Sequence, residues 1–475
     1  MTDLGCTVDV RTFSPGRARL WRFIGPASLI SVGYMDPGNW ATDLEGGARF
    51  GYQLLWVLVA ANLIAMLLQT LAARLGIVGG RDLAQACRDR YSTPVARSLW
   101  VLCEIAIIAG DHAEVLGGAM ALNRVFSIPL AWGALITGLD VMLVLMLQHH
   151  GIRKLESVIA ALVLTIGCCM ALMVFLSGPN WSEVASGLTP HLNGANLYVA
   201  IGILGATVMP HNLYLHSSLV STRRIDVGVA AKREALRYNL IDTVLSLNIA
   251  FLINAAILVV AAATFFTRQI EVTELRQAHD LLSPLLGSAA ASVAFAIALL
   301  ASGQSSSITG TLAGQIVMEG FMRFRISPLK RRLLTRSIAI VPAVAVLAVM
   351  GEGGMLRLLV LSQVVLSLQL PFAIVPLIRF TSDPETMGVF VTVRWVKRVV
   401  QVLAAAITGL NGWLIWKTFN GAGDALTDGS GWQLAAGIGI GVGAAAGAAL
   451  LVWIAVVPLR RPADGATIRE ASTLA

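Results

Sequence analysis

The sequence predicts an all-α polytopic membrane protein of about twelve transmembrane helices, with helices one and six broken. Three observations carry that prediction. The chain of 475 residues is 56% hydrophobic and only 13% charged, with a mean hydropathy of +0.75, which is too apolar for a soluble domain of this length. Twelve stretches approach the roughly 20 residues that cross a hydrocarbon core, centred near residues 35, 64, 110, 139, 166, 208, 254, 300, 342, 367, 407 and 446. Two of the twelve are interrupted by proline and polar residues at matching places in two halves of the chain.

The first interruption is Gly33-Tyr-Met-Asp-Pro-Gly-Asn39 in the apolar run that begins at Phe23. Pro37 lacks an amide hydrogen and clashes with the carbonyl one turn back, and Gly33 and Gly38 favour an unwound backbone. Gly205-Ala-Thr-Val-Met-Pro-His-Asn212 repeats the device in the sixth segment. A break at membrane depth frees backbone groups that lipid cannot satisfy, so it belongs where protein or a cavity meets it. Two such segments in corresponding positions point to the binding site of a transporter.

Lys and Arg set the orientation. With the N-terminus inside, about 29 of the 35 basic residues fall in the segments 1–22, 74–97, 149–154, 223–238, 322–336, 379–398 and 460–475, the asymmetry of the positive-inside rule. Both termini are then cytoplasmic, in a multi-pass protein of the cell's inner (plasma) membrane. The net charge of +8 is accounted for by basic loops facing anionic lipid, so no nucleic-acid partner is expected. No obligate protein partner and no prosthetic group is evident either. Cys6, Cys87, Cys103, Cys168 and Cys169 show no paired metal-ligand spacing and none lies in an outside loop, which argues against a zinc site or a disulfide framework. The first apolar run has transmembrane length and follows Asp3, Asp9 and several arginines, so it reads as an uncleaved helix.

Along the chain, segment two (Gln53 to Ala73) is an ordinary apolar span, and the basic stretch Gly79 to Arg97 reads as a short cytoplasmic surface helix. Segment three (Leu99 to Leu122) contains Glu104, Asp111 and Glu114, whose spacings of seven and three put all three on one helical face. Intramembrane carboxylates mark an ion or proton route, or else lie near the interface or pair with an arginine. Segments four and five are scaffold. Segment six carries His211 and His216; a spacing of five puts them on different faces, unlike the i, i+4 pair of a zinc site, and leaves each as a hydrogen-bonded, pH-sensitive gate, a proton participant, a packing element or a ligand. Segment seven carries Asn248 and Asn254, and segment eight the run Ser302 to Thr311, polar faces that glue helices or line a wet path. Six basic residues lie between Arg323 and Arg336; Arg336, near the start of segment nine, could pair with a buried carboxylate. In segment ten, at least one of Gln363 and Gln369 should face the central site. Segments eleven and twelve are peripheral.

The organisation is five segments (23–178), five more (195–379) and two added (397–459), between cytoplasmic tails 1–22 and 460–475. Five is odd, so the halves enter the membrane from opposite sides and the repeat is inverted, as in the LeuT-type fold. Converging at the breaks are Asp36, Asn39, the Met209 thioether and backbone carbonyls freed near Gly33 and Ala206. Oxygen donors suit hard cations, whereas a thioether favours Mn²⁺, Fe²⁺ and later transition metals over Mg²⁺ or Ca²⁺. One carboxylate undercompensates a divalent ion, which suits a carrier that must release it.

Asp36-Pro-Gly-Asn39, Met209-Pro-His-Asn-Leu-Tyr-Leu-His216, and Gly303-Gln-Ser-Ser with Thr309-Gly-Thr-Leu-Ala-Gly-Gln resemble the signature segments of the Nramp family of proton-coupled manganese and iron transporters. The resemblance runs from about Phe23 to Pro376. It implies inward transport of divalent transition metals with protons. It assigns metal ligation to Asp36, Asn39, Met209 and the carbonyls of Gly33 and Ala206, with a state-dependent part for Gln363. It places proton handling on Asp36, Glu104, Asp111, Glu114, His211 and His216, with Arg336 as a basic partner. Two residues depart from the family pattern: His112 where an aliphatic side chain is expected, and Trp40 where a smaller one is common. They bear on pH dependence and the outer gate. The competing readings are a LeuT-type cation-coupled amino-acid symporter, a Mg²⁺ carrier of the same fold, and a membrane hydrolase; the last lacks the histidine pair with adjacent glutamate.

Overall fold

The structure is a computed structural model that describes residues 8–11, 16–138, 151–270, 275–323, 353–424 and 431–460, with a few isolated positions between. In chain order its helices are α1 (Arg17–Phe23), α2 (Pro26–Ser31), α3 (Pro37–Phe50), α4 (Leu55–Gly79), α5 (Leu83–Arg90), α6 (Thr93–Phe126), α7 (Leu130–Gly138), α8 (Ile152–Ser177), α9 (Trp181–Ser186), α10 (Leu197–Thr207), α11 (Pro210–Leu219), α12 (Val229–Thr264), α13 (Leu275–Leu286), α14 (Ala289–Met322), α15 (Gly353–Thr381), α16 (Pro384–Met387), α17 (Arg394–Asp424) and α18 (Gly431–Val456). Most of predicted segment nine, its basic neighbour Arg336 and the second half of segment four lie outside the described residues.

Among the described residues seven helical stretches are long and apolar enough to cross a membrane. The 34-residue α6 has the length as well and carries the three carboxylates of segment three. The broken stretch Leu197–Thr222 is 89% buried across its apolar window, against 22% for Ile152–Ser177 and 28% for Arg394–Trp416. The interrupted helices are therefore central, and α8 and α17 peripheral. Their outward faces expose Leu164, Phe175, Trp395 and Val402, as expected of side chains that meet lipid rather than water. The core is continuous around the breaks: α3 packs on α12, α10 and α15, and α14 packs on α6 and α8.

The first half-helix, α2, is held at the end of the bundle that carries the N-terminal segment. The Gly25 and Ala27 amides donate to Asp242 Oδ2 at 3.1 and 2.9 Å, satisfying donors that a helix start leaves unpaired. Just before it, Arg223 donates to the carbonyls of Phe23 and Ile24 and to Glu156 Oε1, the last at 2.6 Å. Arg153 reaches both Ile24 O, at 2.8 Å, and Glu156 Oε2, at 3.0 Å. Further out, strand β1 (Val8–Asp9) pairs in parallel with β2 (Arg223–Arg224), and Arg19 bridges Asp226 and Glu234. A strap of N-terminal chain thus crosses the end of α11.

One expectation is corrected. The stretch after α4 does form a helix, α5, opened by a reciprocal capping box between Asp82 and Gln85, but it is not a surface helix. Leu83, Ala84, Ala86 and Cys87 are buried, the Leu83 amide donates to Ser217 Oγ at 2.9 Å, and Ala84 lies against Gly320 so closely that a Cβ there would approach within 2.5 Å. The charge pattern showed a helix near water; what covers its other face comes from α11 and α14, more than 130 and 230 residues away.

Candidate metal centre

Asp36 leaves helical conformation, with φ −67° and ψ 166°, and caps α3: its Oδ1 accepts from the Asn39 amide at 2.7 Å, and Pro37 occupies the first helical position. That position suits proline because its missing N–H would be unpaired there anyway, and a carboxylate suits the positive end of a helix. At the second break Val208 (φ −103°, ψ 68°) ends α10, and Met209 (φ −65°, ψ 120°) precedes Pro210, which opens α11. The two interruptions are therefore built alike.

The carbonyls freed by the first break have identifiable partners. Tyr34 O accepts from Asn254 Nδ2 at 2.6 Å and Met35 O from Ser302 Oγ at 2.5 Å. Gly33 O accepts from Asn39 Nδ2 at 3.3 Å, and the same nitrogen lies 2.8 Å from Asp36 Oδ1 and 3.2 Å from Ala206 O. One amide group thus sits among a carboxylate oxygen and two released carbonyls, and it joins the two breaks. Asn39 Oδ1 in turn accepts from Asn254 Nδ2 at 3.3 Å. Asp36, Asn39, Met209, Ala206 and Gln363 are all buried, so the centre is closed from both sides.

Close approach explains two glycines here. A Cβ on Gly33 would fall 2.4 Å from Asn212 Nδ2, and one on Gly38 would fall 1.8 Å from Gln363 Nε2. Gln363 therefore abuts α3 directly beside the first break, with its Nε2 on Ser362 Oγ at 3.0 Å. Met209 packs its side chain into a small apolar cluster with Ala106 and Leu366.

The remaining predicted residues divide by position. Asp111 and Glu114 are buried in α6, whereas Glu104 is half-buried, its Oε1 taking a hydrogen bond from Trp100 Nε1 at 3.0 Å. His211 faces α6 near Gly110. His216 points elsewhere, its ring nitrogens 3.0 Å from Gln69 Oε1 and 3.2 Å from Asn239 Oδ1. Gln69 continues to the Tyr34 hydroxyl at 2.8 Å. Tyr34, Gln69 and Asn239 were not singled out from the sequence, although a glutamine inside an apolar span such as α4 was a readable signal. On the side away from the strap, Trp40 meets Phe295 edge to face at 5.2 Å, next to a cavity lined by Leu44, Met170, Met173 and Phe265.

Among the described residues no three His, Cys, Asp or Glu side chains converge as a metal cage. Around the one carboxylate the structure gathers amide and carbonyl donors, with Met209 at the facing break. These donors sit at the paired breaks of a polytopic all-α membrane protein of the LeuT type.

The chain belongs to the Nramp family, whose profile, described as natural resistance-associated macrophage protein-like, matches residues 27–417. It is 54% identical over 405 residues to the divalent metal cation transporter MntH of Listeria welshimeri, covering 84% of this chain and 90% of that protein. Against MntH of Nostoc it is 52% identical over 416 residues, with coverages of 86% and 94%. A crystal structure of a variant of the Eremococcus coleocola manganese transporter superposes with a TM-score of 0.85 at 38% identity, covering 96% of this chain and 98% of that one. Mhp1, a nucleobase-cation-symport-1 family transporter, shares the fold at 14% identity with a TM-score of 0.56, covering 92% and 93%.

Proposed function

We propose that this chain imports divalent transition-metal ions, Mn²⁺ and Fe²⁺ among them, together with protons, by alternating access across the plasma membrane. One observation carries the proposal: the Asn39 amide draws Asp36, Gly33 O and Ala206 O to one point between two opposed helix breaks. Relatives named as divalent metal cation transporters, more than half identical, support the choice of cargo.

In this arrangement the two protons of the Asn39 amide nitrogen are shared among three acceptors. An ion entering beside that point is met by Asp36 and the two carbonyls, and Asn39 turns its amide by a half-rotation so that its oxygen faces the ion, which gives up the hydrogen bond from Asn254. The Met209 sulfur supplies the soft donor that disfavours Mg²⁺ and Ca²⁺. Gln363, against Gly38, joins when the bundle closes. With the strap side assigned to the cytoplasm from the distribution of Lys and Arg, release requires α2 to part from Asp242 and Arg223. Protons reach Asp36 with the metal and leave through Asp111, Glu114 and His211, a route distinct from the metal's, with Glu104, His216 and Arg336 as further participants.

The test is uptake into proteoliposomes under an imposed pH gradient, comparing Mn²⁺ with Mg²⁺. Gradient-stimulated Mn²⁺ entry with little Mg²⁺ entry is expected. Equal entry of the two ions, or Mn²⁺ entry indifferent to the gradient, refutes the corresponding half of the proposal.

A further inference from the structure

Asp43 lies in α3 seven residues beyond Asp36, about 10 Å along the axis and within about 20° of the same face. It is fully buried, and neither carboxylate oxygen has a hydrogen-bond partner. Its surroundings follow from the rungs on either side. One turn before it, Asn39 touches Asn254 of α12. One turn after it, Gly47 lies against the same helix so closely that a Cβ would stand 2.4 Å from Leu258 O. Asp43 therefore faces α12 between Asn254 and Leu258. Asn254 spends its Nδ2 on Tyr34 O and Asn39 Oδ1, while its Oδ1 has no donor.

Three buried oxygens that can only accept thus occur on facing turns of α3 and α12, without a donor to any of them. A carboxylate left in that condition is strongly destabilising. One proton supplies a single donor to three acceptors. A metal cation takes several oxygens at once.

We propose that Asp43 and Asn254 form a second cation site, a transit station for the transported divalent metal on its way from outside to Asp36. The proposal rests on the metal-import reading. Its donors are all oxygen, so it attracts divalent ions without choosing among them, and selection falls to the deeper site with its thioether. The outer helices open to load it, and the face that α3 presents to α12 leads the ion one step further in. Asp43 accordingly governs capture, not selectivity.

The experiment pairs transport with binding on the full-length protein. In proteoliposomes, Asp43→Asn, nearly isosteric, should raise the KM for external Mn²⁺ at least fivefold while lowering kcat by less and leaving the Mn²⁺ to Mg²⁺ preference unchanged. By titration calorimetry, Asp36→Asn with Asp43 intact should retain a weak Mn²⁺ site, and adding Asp43→Asn should remove it. Calorimetry on Asp36→Asn alone keeps the proposal testable if the second variant does not fold. An unaltered KM, or no residual binding in Asp36→Asn, overturns the proposal. An external pH profile that shifts in Asp43→Asn while the KM for Mn²⁺ stays put makes the occupant a proton and overturns it too. Wild-type protein that takes up no Mn²⁺ would instead sink the import reading itself.

Discussion

Replacing Arg223 by alanine should unlock the end of the bundle that holds α2. The guanidinium side chain is wholly buried and makes hydrogen bonds to Phe23 O, Ile24 O, Thr222 Oγ1 and Glu156 Oε1. Removing one partner of a buried ion pair costs about 3–5 kcal/mol, because the other charge is stranded. Here Arg153 still reaches Glu156 Oε2 at 3.0 Å, so the low end, about 3 kcal/mol, is the appropriate figure. At about 1.4 kcal/mol per tenfold, the population with α2 released rises about a hundredfold. Hydrogen exchange read at the amides of Ala27 to Ser31 should accelerate by that factor, while exchange in the distant α17 stays as it was. A second variant separates charge from packing: Arg223→Met with Glu156→Leu removes both charges and should recover part of the protection. Unchanged exchange at Ala27 to Ser31 in Arg223→Ala would refute the reasoning, because the pair would then not bear on the position of α2.

Further outcomes are expected. Met209→Ala should raise Mg²⁺ and Ca²⁺ uptake relative to Mn²⁺, and an unaltered ion preference in a competition assay removes the argument from the thioether. Asp111→Asn or Glu114→Gln should impair proton flux more than metal binding, as read by a pH-sensitive dye alongside calorimetry; equal loss of both counts against a separate proton route. Gly117→Ala should abolish uptake, since its Cβ would lie 2.2 Å from Cβ of Pro37 and a proline ring fixed in the backbone cannot swing away. Gly38→Ala, which meets the movable end of Gln363, should retain measurable transport. Burial holds the Asp82 carboxyl up at about 6, against the lowering effect of the Gln85 and Ala84 amides. Its contribution to stability is therefore present below about pH 4 and lost as pH rises through 6. Asp82→Asn keeps a capping side chain and should flatten the pH dependence of thermal unfolding across that window.

The two helix breaks were legible because their cause is local. Pro37 and Pro210 forbid continuation whatever surrounds them, and the interruptions fall at Asp36 and at Val208 to Met209. The capping box of α5 was local as well, whereas its burial was not. What the sequence left hidden are contacts between residues far apart along the chain. Gln69 meets His216 across 147 positions, and Asp242 caps α2 across more than 210. No periodicity within one segment records which helix will lie opposite. Asn254 was noticed as an amide in an apolar span, but its role as a strut on Tyr34 O depends on where α12 crosses the first break. Asp43 went unremarked beside Asp36 because a carboxylate near a helix end reads as solvated until the packing of α3 against α12 encloses it.

The parallel pairing of Val8–Asp9 with Arg223–Arg224 also limits what kind of device the N-terminal segment can be. Fifteen residues separate Val10 from Pro26. Even with α1 left helical, that length spans more than about 30 Å when drawn out. Any shift of α2 within that reach leaves the two short strands joined, so the segment is built as a leash and not as a bolt. On the import reading, a bulky fusion placed ahead of Val8 would stay moored beside α2, and would slow the departure of cargo more than the same fusion at the opposite terminus.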